Sequence, residues 1–407
     1  MSIEQAASRG WVGHTRGSAA YGRLLAALFC AGVATFAQLY SPQAVLPLIS
    51  ADLHIGAAAA ALTISASTVG LAVGVIPWST LADRIGRVKA MTLSVGVATT
   101  VGLLVPFAPT FELLLTGRFL EGLFVGGVPA IAVAYLTEEI DAAHAARAAG
   151  TFVAGTTIGG LLGRLVSSSV AEVVGWRIGM FTVALVCGIA ALVFVKLAPA
   201  PRGFLPSNRS GANPEGSLAH RLAANLRSPR QLTLFAQGFL LMGGFVAMYN
   251  FLGFRLTAAP FFLPPFAVSL VFLAYLAGTW ASSRAGAEST RFGRKRVLLV
   301  SIAIMVTGVA ITLSDNVIAI LVGLVIATAG FFGAHSIASG WTGQAAPAGR
   351  AQASSLYNLF YYGGSSVIGW FGGVAFDGYG WAAVATTILV LAIIAATAAA
   401  LFLPRDS

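Results

Sequence analysis

Three charged side chains stand inside long apolar stretches of the sequence: Arg118, Glu121 and Arg164. A charge at the centre of a bilayer costs about 2.5–3.5 kcal/mol on insertion scales and persists where it faces a cavity or a partner. Arg118 and Glu121 are three residues apart, which puts them on one helix face within pairing reach. At 1.5 Å per helical residue, Glu121 lies about 15 Å and Arg164 about 12 Å in from the ends of their stretches, so all three sit at similar depth. Desolvation favours the protonated carboxyl, and the neighbouring arginine favours the carboxylate. A carboxyl balanced in this way can take a proton from one side and release it to the other. Glu121 is therefore the candidate proton carrier, with Arg118 as its partner; the same two residues also read as a permanent structural ion pair. Arg164 either faces a cavity or snorkels outward.

Other chemistry is missing from the sequence. It contains no His-Glu-x-x-His, no Gly-x-Ser-x-Gly and no paired-acid constellation, which argues against an enzyme. No Gly-x-x-x-x-Gly-Lys-Ser/Thr loop occurs, so the chain itself is not expected to hydrolyse ATP. Cys30 and Cys187 lie in apolar runs and read as small apolar side chains, with no metal site. His335 has no metal-ligating companion nearby and reads equally as a core histidine or as a ligand to substrate or proton.

The elements that must position these groups follow from composition. Of 407 residues, 57% are hydrophobic and 9% charged, against about 25% charged in a soluble domain. So few charges cannot clothe a soluble surface. A membrane helix needs about 20 apolar residues, and such runs occur at 24–49, 57–81, 88–108, 111–136, 148–171, 178–198, 231–256, 265–284, 297–313, 317–342, 354–375 and 382–402. They are too long for barrel strands and lack their alternation. The expectation is an all-α integral membrane protein of twelve transmembrane helices.

With the N-terminus inside, 20 of the 24 Lys and Arg fall in cytoplasmic segments and only Arg177 and Arg255 at the outer side. That bias predicts both termini in the cytoplasm. The expected organisation is a cytoplasmic tail at 1–23, a six-helix bundle at 24–198, a cytoplasmic linker at 199–230, a second six-helix bundle at 231–402 and a tail at 403–407. The linker is rich in Pro, Gly, Ser and Asn, with a surface helix expected near 217–227.

The two halves repeat. Asp83-Arg84-Ile85-Gly86-Arg87 is echoed by Thr290-Arg291-Phe292-Gly293-Arg294 at an offset of 207, and Gly159, Glu172, Gly175 and Trp176 by Gly364, Asp377, Gly380 and Trp381 at an offset of 205. Phe36 and Tyr40 likewise match Phe245 and Tyr249. Two parallel six-helix repeats form the architecture of one large transporter class.

These residues resemble the major facilitator superfamily over essentially the whole chain. The motif is Gly70, then Ser79 where a second glycine is usual, then Asp83-Arg84-Ile85-Gly86-Arg87. The resemblance implies a cytoplasmic latch of Gly70, Asp83, Arg84, Gly86 and Arg87. In it Asp83 faces the positive N-terminal end of span 11 near Ser354 and favours the outward-open state. Thr290 replaces the aspartate in the second copy. Arg118-Phe119-Leu120-Glu121-Gly122 resembles the family's span-4 motif, and Gly155-Thr156-Thr157-Ile158-Gly159-Gly160 its antiporter motif, with Thr156 in place of proline. The group most similar is the bacterial 12-span drug and sugar efflux antiporters.

That resemblance implies a substrate cavity lined by spans 1, 4, 7 and 10, to which Gln38, Tyr40, Gln43, Arg164, Tyr249, Asn250 and His335 could contribute. It implies a transporter of a small organic molecule working by alternating access in the bacterial inner membrane. The most natural form is proton-coupled efflux; uptake symport or uniport of a polar or anionic metabolite is the alternative. The expected partners are that substrate and the lipid bilayer, with no nucleic acid, a monomeric state, no cofactor and the proton gradient as driving force. Glycines four apart (Gly70/Gly74, Gly122/Gly126, Gly155/Gly159/Gly163, Gly369/Gly373) let helices approach closely.

Overall fold

The structure, a computed structural model, describes residues 12–203 and 217–404. The expected tail residues 1–11 and 405–407 and the linker stretch 204–216 lie outside the described residues. Among the described residues there are fifteen α-helices and no strand. In chain order they are α1 (Ala19–Tyr40), α2 (Leu46–Leu53), α3 (Ala57–Ile85), α4 (Arg87–Leu104), α5 (Phe111–Val125), α6 (Gly127–Glu139), α7 (Ala142–Val174), α8 (Trp176–Leu197), α9 (Leu218–Leu226), α10 (Pro229–Thr257), α11 (Pro265–Ser269), α12 (Tyr275–Phe292), α13 (Arg294–Ile311), α14 (Val317–Gln344) and α15 (Arg350–Phe402).

Local chemistry sets the helix ends. Ser18, Thr110, Asp141, Ser217, Ser228 and Asn316 each accept a backbone N–H from the first turn that follows, the role short polar side chains play at N-caps. The repeat is written into the breaks. Gly86 and Gly293, between α3–α4 and α12–α13, have φ of 95° and 83°. Gly175 ends α7 at φ 89°, and Gly380 bends α15 at φ 68°. Only glycine adopts that region without a Cβ penalty, so the offsets of 207 and 205 mark matched turns.

Ten helical segments among the described residues are long and apolar enough to cross a bilayer. Two expected spans, 354–375 and 382–402, fall in the single stretch α15, which departs from helical geometry at Gly380. The expected span 297–313 falls on α13, whose first turn carries Arg294, Lys295 and Arg296. Large apolar side chains such as Ile76, Val173 and Ile318 are more than 70% exposed, as suits helices solvated by acyl chains.

Two compact units divide the chain: Met1–Val45 with Ala66–Ser210, and Leu46–Ser65 with Gly211–Ser407. The first has its core around α1, where Leu24, Leu28, Tyr135, Cys187 and Phe194 are buried. α1 packs closely on α7: a Cβ at Gly155, Gly159 or Gly163 would strike the backbone of Phe29, Val33 or Ala37. α3 and α5 approach through reciprocal glycines, Gly70 and Gly74 on one and Gly122 and Gly126 on the other. In the second unit α10 lies along α15, and the core is aromatic, with Phe235, Tyr249, Phe251, Phe272 and Phe331 buried. Within this unit Asp377 caps the start of α3, accepting from Ala57 N at 2.9 Å and Ala58 N at 3.0 Å. Helix α9 matches the surface helix expected in the linker, and both cysteines are free.

Candidate functional site

The first unit's charged cluster is built on a break in α1. The helix ends at Tyr40 and is followed by a short 3-10 turn over Gln43–Val45. Pro42 explains the break: in a continuous helix its N–H would bond the carbonyl of Gln38, and proline has none. The last carbonyls of α1 are therefore without intrahelical donors. Arg118 supplies them. Its Nη1 donates to Gln38 O at 3.3 Å and its Nη2 to Leu39 O at 2.6 Å. Ser41 Oγ adds a bond to Gln38 O at 3.1 Å. A cation there also answers the negative end of the helix dipole.

Glu121, one turn along α5, accepts from Arg118 Nη1 in an ion pair. Arg118 is 0% and Glu121 2% exposed, so water screens neither. Gln38 donates from Nε2 to Ala98 O of α4 at 2.5 Å. A Cβ at Gly102 of α4 would collide with both the Gln38 amide and the Glu121 carboxylate; the glycine leaves the space in which they meet.

Arg164 reaches the same break from α7. It does not snorkel: its Nε donates to Gln43 Oε1 at 2.8 Å, its Nη1 to Gly160 O at 2.7 Å, and its guanidinium stacks 4.5 Å over the Tyr40 ring. Ser167 Oγ donates to Ser41 O at 2.7 Å. The structure thus gathers six expected site residues, Gln38, Tyr40, Gln43, Arg118, Glu121 and Arg164, around residues 38–43.

In the second unit the expected residues divide. Tyr249 is bonded to Thr328 Oγ1 at 2.7 Å and packs on Phe245, Phe272 and Tyr275. Asn250 is buried beside it. His335 lies elsewhere, with Nδ1 2.9 Å from the Tyr357 hydroxyl and its ring between Phe331 and Tyr361. Phe331 links the two groups by stacking on Phe245 at 4.0 Å. Thr328, Tyr275, Phe331 and Tyr357 were not singled out by sequence; their types are ordinary for a membrane core.

At the expected latch, Arg87 Nη1 donates to Asp83 Oδ1 at 2.5 Å and Nη2 to Glu138 Oε1 at 2.8 Å. Gly86 makes the turn, and Arg84 is exposed. Gly70 takes no part in this cluster; it lets α3 approach α5. Glu138 is a member that spacing did not reveal. On the same side of the unit, His14 N donates to Glu139 O at 2.7 Å, and the Glu139 carboxylate accepts from the N–H of Arg202 at 2.6 Å and of Gly203 at 2.7 Å. Burial first, and then the charge of Arg202, push the His14 pKa below its ordinary 6.5.

Comparison with known proteins bears on the family and the fold. Residues 27–290 and 285–407 match the Major Facilitator Superfamily. The chain is 38% identical over 380 residues to the inner membrane transport protein YnfM of Escherichia coli, covering 93% of this chain and 90% of that one. It is 34% identical over 380 residues to an uncharacterised MFS-type transporter, YybF, of Bacillus subtilis, covering 93% of each. Among solved structures, a bacterial homologue of the human lysosomal transporter Spinster, inward-facing and unoccupied, superposes with a TM-score of 0.77 at 16% identity, over 97% of this chain and 100% of that one. The nucleoside transporter NupG gives 0.69 at 15% identity, over 93% and 98%. At such identity the structural likeness speaks for the fold alone.

Proposed function

The chain belongs to the major facilitator superfamily, and we propose that within it the protein is a proton-coupled secondary transporter. It exports a small organic molecule, a drug, sugar or metabolite, by alternating access. It works as a monomer in the bacterial inner membrane, the location given in the name of YnfM, with both termini in the cytoplasm.

The observation that carries this reading is the Arg118–Glu121 pair buried at the break in α1. When Glu121 takes a proton, its attraction for Arg118 falls away, while the guanidinium keeps its bonds to Gln38 O and Leu39 O. The change in charge is then felt at the junction of α1, α4 and α5. Residues 38–43 also hold Arg164 through Gln43 and Tyr40. A proton arriving at one carboxyl therefore acts on the segment that presents Gln38, Tyr40 and Gln43 to substrate. Tyr249, Asn250 and His335 contribute from the second unit, and Asp83, Arg84, Gly86 and Arg87 act in the latch.

Thr156 stands where the resembled exporters carry proline, and Arg164 adds a positive charge beyond the balanced pair. Both favour a second reading, uptake symport or uniport of a polar or anionic metabolite. Everted vesicles separate the two. After a thermal-shift screen of sugars, organic acids and cationic drugs has identified a ligand, an imposed pH gradient should drive its accumulation in everted vesicles. Accumulation only in right-side-out vesicles would establish uptake. Transport indifferent to the gradient would remove proton coupling.

A further inference from the structure

A helix that breaks within the membrane offers its last carbonyls to a cation, and secondary transporters hold sodium or the proton at such breaks. The break in α1 supplies four oxygens, the carbonyls of Gln38, Leu39 and Ser41 and the side-chain Oε1 of Gln43, and each is already bonded by the chain. Arg118 donates from Nη1 to Gln38 O at 3.3 Å and from Nη2 to Leu39 O at 2.6 Å, and Ser41 Oγ adds a bond to Gln38 O at 3.1 Å. Ser167 Oγ donates to Ser41 O at 2.7 Å, and Arg164 Nε to Gln43 Oε1 at 2.8 Å.

A planar guanidinium suits this place, because its fork meets two acceptors at once. A metal ion would need the same oxygens together, and to gain them it would have to displace Arg118 from both carbonyls. The displaced guanidinium would lose those acceptors at a depth where charge is costly. Charge opposes the ion as well. Arg118 and Arg164 against an ionised Glu121 sum to +1, and all three are at most 3% exposed, so repulsion of a further cation is little screened. Space is also short: a Cβ at Gly102 would collide with the Gln38 amide and the Glu121 carboxylate. A proton meets none of these obstacles. It attaches to one carboxyl oxygen, needs no set of ligands and adds almost no volume.

We propose that the break in α1 is a cation site occupied by the chain's own guanidinium, and that Arg118 thereby fixes the proton as the coupling ion and excludes sodium. Arg118 sets ion specificity, and Glu121 beside it carries the proton. The choice of ion rests on the proton-coupled reading of Glu121; the occupancy of the site by Arg118 does not.

The test compares chloride salts at equal ionic strength on the full chain. In detergent the wild type should melt at one temperature in sodium and in choline. In proteoliposomes, with a ligand found by the thermal-shift screen, a pH gradient should drive accumulation and a sodium gradient clamped at equal pH should not. Arg118→Ala removes the tethered cation. Guanidinium, kept far below denaturing concentrations, should raise the Tm of that variant over choline by about 3–6 °C, the shift of a ligand at about ten times its Kd, and should leave the wild type unmoved. Loss of packing alone would respond to guanidinium and choline alike. Should the variant not fold, the wild-type comparisons decide. Stabilisation of the wild type by sodium over choline, accumulation driven by a sodium gradient alone, or a folded Arg118→Ala indifferent to guanidinium would each overturn the proposal. Transport indifferent to both gradients would remove proton coupling and leave the melting temperatures to decide the cation site.

Discussion

Replacing Glu121 by glutamine makes the carboxyl permanently neutral while keeping its shape, which imitates the protonated state. Removing one partner of a buried ion pair costs about 3–5 kcal/mol. No discount for solvent applies, because Arg118 is 0% and Glu121 2% exposed. Arg118 would still hold Leu39 O at 2.6 Å and Gln38 O at 3.3 Å, and the new amide oxygen can accept from it, so the loss belongs at the low end, about 3 kcal/mol. For a unit of this size that corresponds to a fall of roughly 6–12 °C in Tm at 2–4 °C per kcal/mol. In proteoliposomes Glu121→Gln should abolish accumulation driven by a pH gradient yet leave exchange of labelled substrate across the membrane. Exchange needs the halves to move but needs no net proton. A variant that melts with the wild type and accumulates substrate with a gradient as the wild type does would refute both the burial argument and the coupling role.

Four further outcomes are expected of this fold. Pro42→Ala returns an N–H to Gln38 O and should slow hydrogen exchange over residues 41–45 by about 2–10-fold, the equivalent of one net hydrogen bond, as read by mass spectrometry; unchanged exchange would mean that another constraint breaks α1. Arg87→Ala removes two part-exposed ion pairs, whose side chains are 12%, 42% and 24% exposed, and should lower stability by about 1 kcal/mol or less, seen as a small drop in Tm. The pKa of His14 lies lower in the folded state than in the detached segment, so its contact contributes fully above the unfolded value of about 6.5 and is lost as pH falls below it. Protection of the His14 amide against hydrogen exchange, corrected for intrinsic rates, should therefore decrease between pH 7.5 and pH 5. For twelve crossings with both termini inside, single cysteines at Thr110 and Ser314 should react with an impermeant maleimide on intact cells, and those at Ser217 and Arg350 only after permeabilisation.

Much of this was legible because it is local. The i, i+3 spacing of Arg118 and Glu121 gave their pairing, the glycines at every fourth position marked helices that pack closely without saying on which partner, and the offsets of 207 and 205 marked the repeat whose matched glycine turns the structure shows. The break in α1 was also legible, since Pro42 denies Gln38 its donor, but the run 24–49 read as one span because hydropathy is blind to a missing N–H. Glu138 and Asp377 were not legible. Their partners lie 51 residues away at Arg87 and 320 residues away at Ala57, and nothing in their neighbourhoods distinguishes a surface acid from one that bonds a distant guanidinium or helix end. The aromatic surroundings of His335 were hidden for the opposite reason: phenylalanine and tyrosine are so common in the apolar runs that no spacing marks which will meet.

The break in α1 also separates the roles of Arg118 and Glu121, which sequence alone left joined. A buried arginine with a single acid for a partner would need that acid to be charged at all times, and a proton could then be taken up only at the expense of the fold. Here the guanidinium has other acceptors, the two carbonyls that Pro42 and the following turn leave without intrahelical backbone donors. Arg118 bonds Leu39 O, and shares Gln38 O with Ser41 Oγ, whether or not Glu121 is ionised. The cation is thus held in place by backbone, and in the proposed mechanism the carboxyl beside it is the member whose charge varies. On the proposed reading Arg118 is the positioning residue and Glu121 the titrating one, and Arg118→Gln should lower stability by more than Glu121→Gln, because it strands one carboxylate and the carbonyl of Leu39 and leaves Gln38 O only its bond from Ser41 Oγ, where the other strands a single cation that still has oxygen to bond.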